Sequence, residues 1–363
     1  MRAEPVSPYP RFALPAGSAA TGTPESRGLA RDEVKLLVAE PGSVAHQAFR
    51  ELPDFLQAGD LLVVNTSATL AAAVDGRRAD GRVQPVHVSA ALDDGSWVVE
   101  LRRADGTGPA LDAFHGENVV LPGGLTLRLH SPYPDRSASG SRLWRASPDS
   151  SRQLAGYLEQ HGRPIAYDYL TGSFPLEDYQ TVYASQPGSA EMASAGRPFT
   201  ADLLVRLMAA GVTVAPIVLH AGVSSAELHE PPLPERFVVP EDTARLVNSA
   251  VWAGRRIIAV GTTVVRALET VAGDHGTVRP DKGWTDLVLG PDRPARVVSG
   301  LITGLHPPEA SHLLLLEAVA GVDLVRQAYE AAVASGYLWH EFGDSMLFLP
   351  GQRPSRDEAS IAA

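Results

Sequence analysis

Two hydrophobic patterns divide the chain. The run DLLVVN at Asp60 to Asn65 is continuously apolar, as in a strand buried on both faces. From about residue 82 to 147 the apolar segments shorten to VQPVHVSAAL, SWVVELRR, ENVVL, LTLRLH and SRLWRA, with turn signals at Asp93-Asp94-Gly95 and Pro122-Gly123-Gly124. Short strands joined this way predict a small antiparallel barrel or sandwich. Beyond residue 150, helix and buried strand alternate. Thr200 precedes ADLLVRLMAAG, where its hydroxyl can cap the first free amides, Asp202 suits the positive end and Gly211 can close the helix. VTVAPIVL follows and ends at His220, and RRIIAV runs into Gly261-Thr262-Thr263 and the helical VVRALETVA. RVVSGLIT leads through His306 to the helical SHLLLLEAVAGV, and DLVRQAYEAAVASG gives one more helix before the apolar SMLFL.

This alternation predicts an α/β fold, a mixed sheet with flanking helices plus an inserted small antiparallel β-barrel domain. The expected division is an α/β catalytic domain from residues 1–70 and 151–350, a barrel at 71–150 and a flexible tail at 351–363. The first 30 residues, rich in Pro, Ala, Gly, Ser and Thr, are expected to be loose as well.

Composition narrows the function classes. The chain has 363 residues, with 31 Lys+Arg against 42 Asp+Glu for a net charge of −11, and 44% hydrophobic residues. At about 100–200 residues per domain, that is enough for two or three domains with a real core. The absence of Cys excludes thiolate nucleophiles, iron–sulfur clusters and Cys-ligated zinc. The longest apolar stretches, such as Leu313 to Leu316, fall short of the ~20 residues of a membrane span. Pro5, Pro8, Pro10 and Pro15 would interrupt a signal peptide, so a cytoplasmic location away from membranes is expected. The acidic balance disfavours indiscriminate adhesion to nucleic acid, although a local basic groove can still hold RNA.

In open α/β sheets, ligands bind beyond the carboxyl ends of the strands. Asn65 and Thr66, His220 to Gly222, Gly261 to Thr263, and Thr303 to His306 are expected there. Gly261-Thr262-Thr263 offers close backbone approach and a helix N-terminus suited to a carboxylate or phosphate. Equally, Thr262 or Thr263 can simply cap the helix. His220 and His306 are candidate acid–base groups, with hydrogen-bonded structural histidine as the alternative. Glu269 lies one turn after Arg266, as a surface ion-pair partner or a substrate-positioning group. Asp286 and Asp344 can face a cationic ligand or sit in solvated loops. No HExxH or clustered His/acid spacing supports a metal hydrolase, so no metal is expected, and GxxxxGK[ST], GxSxG and GxGxxG are all missing. The Tyr-dense segment YDYLTGSFPLEDYQTVYASQPGSAEMASAGRPFT reads equally well as a binding loop or as a packed connection.

From about Leu52 to Leu349 the chain resembles the S-adenosylmethionine:tRNA ribosyltransferase-isomerase family of the queuosine pathway. The resemblance is carried by GDLLVVN (Gly59 to Asn65), YQTVYA (Tyr179 to Ala184), AG and FT around Ala195 to Thr200, GTTVVRALE (Gly261 to Glu269), GWTDL (Gly283 to Leu287), LIT (Leu301 to Thr303) and GDSML (Gly343 to Leu347). It implies an α/β domain with an inserted β-barrel and the use of S-adenosylmethionine as a ribosyl donor. The ribosyl unit would pass to 7-aminomethyl-7-deazaguanine in tRNA, with adenine and methionine released. It further implies proton transfer by His220 or His306, a methionine carboxylate at Gly261 to Thr263, and Tyr179, Tyr183 or Trp284 against adenine or the sulfonium. Gly196, Thr200, Gly222, Arg266, Glu269 and Asp286 join the expected S-adenosylmethionine-binding set.

Several polar motif positions depart from the family pattern. NDTRV is NTSAT here (Asn65 to Thr69), and AGLHFT is AGRPFT, with Arg197 and Pro198. NFHLPKS is GLHPPEA, with Gly304 and Glu309 but His306 retained, and LHVGxGTF is LHAGVSSAE, with His220 and Gly222 retained. These changes leave open a divergent paralogue that uses a small nucleoside-like acceptor or cleaves S-adenosylmethionine without tRNA. A non-catalytic nucleoside- or RNA-binding protein on the same scaffold is the third reading.

Overall fold

The computed structural model describes residues 12–137, 141–150, 153–223, 232–274 and 276–351. Strands β1 (Lys35–Glu40) and β2 (Ser43–Ala48) form a hairpin, followed by β3 (Leu61–Asn65) and the short β4 (Ser67–Thr69). The next strands are β5 (Ala73–Arg78), β6 (Val83–Ala91), β7 (Trp97–Leu101), β8 (Asn118–Val120), β9 (Thr126–Pro132) and β10 (Leu143–Pro148). They close into a barrel of order β10-β7-β6-β5-β8-β9 with antiparallel neighbours throughout.

Helix α1 (Leu154–His161), β11 (Gln186–Ser189), α2 (Ala201–Ala209), β12 (Thr213–Leu219), β13 (Glu235–Val239) and α3 (Glu241–Trp252) come next. They are followed by β14 (Ile257–Val260), α4 (Thr262–Thr270), β15 (Asp281–Thr285), β16 (Gly300–Gly304), α5 (His312–Ala320), α6 (Val322–Ala334) and β17 (Ser345–Phe348). A nine-stranded sheet runs β15-β13-β12-β3-β14-β16-β17-β1-β2. Its central β12, β3, β14 and β16 are parallel, and antiparallel pairs lie toward both edges. This is the mixed sheet with inserted barrel that the hydrophobic pattern predicts.

Both faces of the sheet are covered, which explains the unbroken apolar run of β3. Leu61 and Val63 enter the core under α3 to α6, while Leu62 and Val64 enter the core under α2. The barrel has its own core around Val86, Val99, Trp97 and Leu127, shared with Tyr157 and Leu158 of α1 and with Ile165, Ala190 and Val223. The parallel pair β4 and β11 lies beside it, β4 following β3 directly in the chain and β11 coming after α1. Among the described residues no helix is long and apolar enough to cross a membrane.

Two expectations need correction. The segment from residue 12 onward is not loose: Ala20 is buried, and its amide donates to the Trp339 carbonyl at 3.1 Å while the Trp339 amide donates to Ser18 at 2.8 Å. Buried Arg197 adds a hydrogen bond to Glu25 at 2.9 Å. Composition predicts loop here correctly but says nothing of these long-range partners. Second, RVVSGLIT is strand only at Gly300–Gly304, because the Arg296, Val297 and Val298 amides are taken by the Glu269 carboxylate at 2.7, 2.9 and 3.0 Å. Residues 352–363 of the tail expected at 351–363, the first 11 residues, and Ser224 to Glu227 of LHAGVSSAE lie outside the described residues.

Candidate active site

A cavity of about 460 Å³ opens where the carboxyl ends of β14 and β16 meet the barrel and the Tyr-dense segment. Strand β14 stops at Val260, and Gly261 takes φ +93°, a conformation that disfavours any side chain. Helix α4 starts immediately afterwards with no side-chain cap, so neither Thr262 nor Thr263 acts as one. Gly261, Thr262 and Thr263 all line the cavity. Asn65, at the end of β3, donates to Thr263 Oγ1 at 3.2 Å and to the Leu219 carbonyl at 2.8 Å, which fixes the start of α4 against β12.

One turn into α4, Arg266 also faces the cavity and is buried. It pairs with Glu235 and donates to the carbonyls of Leu233 (2.9 Å), Thr285 (3.1 Å) and Leu287 (3.2 Å). Glu235 in turn accepts from the Gly222 amide at 3.2 Å. Burial pushes the Glu235 pKa up, against the pull of Arg266 and that amide.

His306 follows β16. Its Nε2 lies 3.0 Å from Thr303 Oγ1, and its amide donates to the Tyr329 hydroxyl at 3.2 Å. The ring stacks on His312, with centroids 4.5 Å apart and planes 5° from parallel. Burial, then the neighbouring His312 and His340, holds His306 well below the ordinary histidine pKa. Burial and then Arg266 bring His312 down to about 4. Both rings are therefore neutral at pH 7.

The opposite walls are aromatic and charged. Tyr167, Tyr169, Tyr179, Glu191, His340 and Glu341 line one side, with Tyr179 pushed up to about 12 by burial first and then by nearby carboxylates. From the barrel come Arg102 and Arg142, held by the buried Glu100 at 3.3 and 2.8 Å. Burial raises the Glu100 pKa while both guanidiniums oppose it, and burial first, then Arg102, lowers His87 to about 3. Among the described residues no group of three His, Asp or Glu side chains is arranged to hold a metal ion.

Of the residues picked from sequence, the cavity gathers Tyr179, Gly222, Gly261, Thr262, Thr263, Arg266 and His306. The others do different work. His220 Nδ1 lies 2.7 Å from Ser67 Oγ, its ring packs on Gly188, where a Cβ would approach to 2.4 Å, and burial lowers its pKa. Thr200 caps α2 through the Leu203 amide at 3.1 Å. Gly196 makes room for Tyr183, whose hydroxyl would lie 2.1 Å from a Cβ there and has no hydrogen-bond partner. Glu269 does not pair with Arg266 on the surface; it is buried on the backbone before β16. Trp284 donates to Asp93 of the barrel at 2.9 Å under the Arg236 guanidinium, and Asp286 is exposed. Asp344 is buried on the Lys35 and Leu338 amides, both at 2.8 Å, rather than solvated.

Sequence reasoning missed Tyr167, Tyr169, Glu191, His340, Glu341, His312, Arg102 and Arg142 as lining residues. The available signals were the Tyr-dense segment and Glu100 inside the apolar strand WVVEL, since a charge in a core strand demands buried partners.

A crevice at the carboxyl ends of parallel strands, roofed by an inserted barrel, defines an α/β protein with a nucleotide-sized ligand site. Comparison with known proteins makes this more particular. The family model for queuosine biosynthesis protein matches residues 8–348. The S-adenosylmethionine:tRNA ribosyltransferase-isomerase of Desulfitobacterium hafniense is 36% identical over 332 residues, which cover 88% of this chain and 94% of the relative. The protein of that name from Thermus thermophilus is 36% identical over 336 residues, 88% of this chain and 93% of the relative. The crystal structure of S-adenosylmethionine tRNA ribosyltransferase from Thermotoga maritima matches with a TM-score of 0.51 and 27% identity, covering 93% of this chain and 99% of that one. The chain belongs to the queuosine biosynthesis protein family.

Proposed function

We propose that the chain is an S-adenosylmethionine:tRNA ribosyltransferase-isomerase. It transfers the ribosyl unit of S-adenosylmethionine to 7-aminomethyl-7-deazaguanine in tRNA and isomerises it to the epoxycyclopentanediol of epoxyqueuosine, releasing adenine and methionine. The relatives that bear this name support the reading along nearly their whole length. The structural observation that carries it is one cavity holding both an uncapped helix N-terminus and a neutral histidine.

The free amides at the start of α4 suit the methionine carboxylate, since they add hydrogen-bond donors to a positive helix end. The sulfonium of S-adenosylmethionine acidifies the adjacent 5′ carbon. His306, neutral and oriented by Thr303 through Nε2, accepts that proton on Nδ1 and returns it to the departing adenine. Its depressed pKa makes the imidazolium a willing donor in the second step. His306 is preferred over His220 because only His306 lines the cavity. Tyr179 supplies an aromatic surface for the cationic or planar parts of the ligand.

Incubation with S-adenosylmethionine and tRNA carrying 7-aminomethyl-7-deazaguanine tests this, with products quantified by mass spectrometry. Epoxyqueuosine in tRNA, with matching adenine and methionine, is expected. Unmodified tRNA would refute the reading.

A further inference from the structure

Tyr179 reaches the cavity from a single helical turn, Leu176–Tyr179, and the carbonyls on both sides of its Cα are held. The Asp178 carbonyl accepts from Arg197 Nε at 2.8 Å. The Tyr179 carbonyl accepts from Thr69 Oγ1 at 2.8 Å, and the Gln180 side chain closes on the Thr69 amide (3.0 Å) and carbonyl (2.8 Å). Phe342 backs the Tyr179 ring, with centroids 5.1 Å apart and planes at 58°, and the Arg197 guanidinium lies 5.1 Å from the centre of that Phe342 ring. Arg197 Nη2 also donates to Glu25 at 2.9 Å. One guanidinium thus joins the N-terminal segment, the turn that carries Tyr179 and the loop before β17.

Arg197 carries a penalty where it stands. It is 2% exposed, and among the described residues its Nη1 has no hydrogen-bond partner. Exchanging a buried charge for a well-packed apolar side chain is often neutral or stabilising. The family pattern AGLHFT has leucine at this position, and NDTRV has valine where this chain has Thr69. Both departures put a hydrogen-bond donor where hydrocarbon would serve for packing, and both donors converge on the backbone of one cavity residue. Packing gives no reason for the pair; the placing of Tyr179 does. Holding both carbonyls in advance spares the ordering that the ring would otherwise undergo when a ligand packs on it.

Resting on the proposed use of S-adenosylmethionine, we infer that Arg197 and Thr69 are positioning residues that clamp the backbone around Tyr179. The clamp makes the Tyr179 ring a fixed face of the cavity and thereby raises the affinity for S-adenosylmethionine. Arg197 acts entirely through Tyr179, since it is not among the residues that line the cavity.

Calorimetric titration of the full chain with S-adenosylmethionine tests this in Arg197→Leu, Arg197→Lys, Thr69→Val and Tyr179→Leu. Folded Arg197→Leu is expected to bind about tenfold more weakly than the wild type, the scale of one charge-assisted hydrogen bond. Arg197→Lys keeps the charge and loses the planar fork, so it should recover part of that affinity. Thr69→Val should lose affinity as well. In a Tyr179→Leu background neither Arg197→Leu nor Thr69→Val should weaken binding further, because the clamp has nothing left to hold. Wild-type affinity in folded Arg197→Leu or in Tyr179→Leu, or losses that add in full to that of Tyr179→Leu, overturns the inference. Hydrogen exchange on the ligand-free chain gives a readout that needs no S-adenosylmethionine. Exchange over residues 176–183 should quicken in Arg197→Leu while that of β3 stays as in the wild type. An equal change in both, or none over 176–183, overturns the clamp. If the wild type binds no S-adenosylmethionine, the proposed reaction fails and exchange alone decides whether the clamp holds Tyr179.

Discussion

Asn65 and Thr263, 198 residues apart in the chain, meet at 3.2 Å where β3 ends and α4 begins. The same Asn65 amide holds both the carbonyl (2.8 Å) and the N–H (3.0 Å) of Leu219 and accepts from the Ser67 amide at 3.1 Å. One side chain thus ties two parallel strands to the helix terminus that faces the cavity. Asn65→Ala leaves those backbone groups buried and unpaired, at about 1–3 kcal/mol for each unsatisfied group. A lower urea midpoint and weaker S-adenosylmethionine binding are expected; an unchanged midpoint would show that the hub carries no weight.

Arg266→Ala should be among the most destabilising changes in α4. It removes the partner of Glu235 and strips hydrogen bonds from three carbonyls. Breaking a buried pair by removing one member costs about 3–5 kcal/mol, because the other charge is left uncompensated. Adding Glu235→Gln to Arg266→Ala should recover part of that loss in chemical denaturation. No recovery would mean that the carbonyl contacts dominate.

Tyr183→Phe separates packing from ligand binding. The Tyr183 hydroxyl is buried without a hydrogen-bond partner, beside Gly196 and outside the cavity lining. Removing an unsatisfied hydroxyl should raise stability by roughly 1 kcal/mol or more and leave S-adenosylmethionine affinity as it was. A marked loss of affinity would place Tyr183 in the site after all.

Glu317 of α5 gives a pH signature. Its carboxylate is buried, neither oxygen has a hydrogen-bond partner, and burial raises its pKa to about 7 from the ordinary 4.5. A carboxyl whose folded pKa is raised holds its proton longer in the folded state, so its contribution is full below pH 4.5 and lost as pH rises through 7. His312, lowered to about 4, acts in the opposite sense: its contribution is full above 6.5 and lost as pH falls toward 4. Comparing Glu317→Gln with the wild type cancels the histidine. The variant should match the wild type at pH 4 and exceed it at pH 8 in thermal unfolding, and parallel curves would contradict the assignment.

The framework was legible in sequence because local periodicity encodes it. DLLVVN marked a strand covered on both faces, the short turn-separated strands marked the barrel, and Thr200 marked the cap of α2. The cavity was legible only in part, since its walls are assembled from pairs distant in sequence. Nothing near Tyr169 announces Glu341, 172 residues away, and nothing near Arg142 announces Glu100. Glu269 shows the converse error: its spacing from Arg266 invites a helical ion pair, yet backbone amides following Ala295 claim it.

The central claim is that this cavity receives S-adenosylmethionine. Ala310 lines it beside His306 and His312, and Ala310→Trp would fill it with a large ring. Equilibrium dialysis with labelled S-adenosylmethionine should show binding by the wild type and its loss in Ala310→Trp, with the unfolding midpoint confirming a folded variant. Undiminished binding by folded Ala310→Trp would contradict the account and place the ligand elsewhere on the chain.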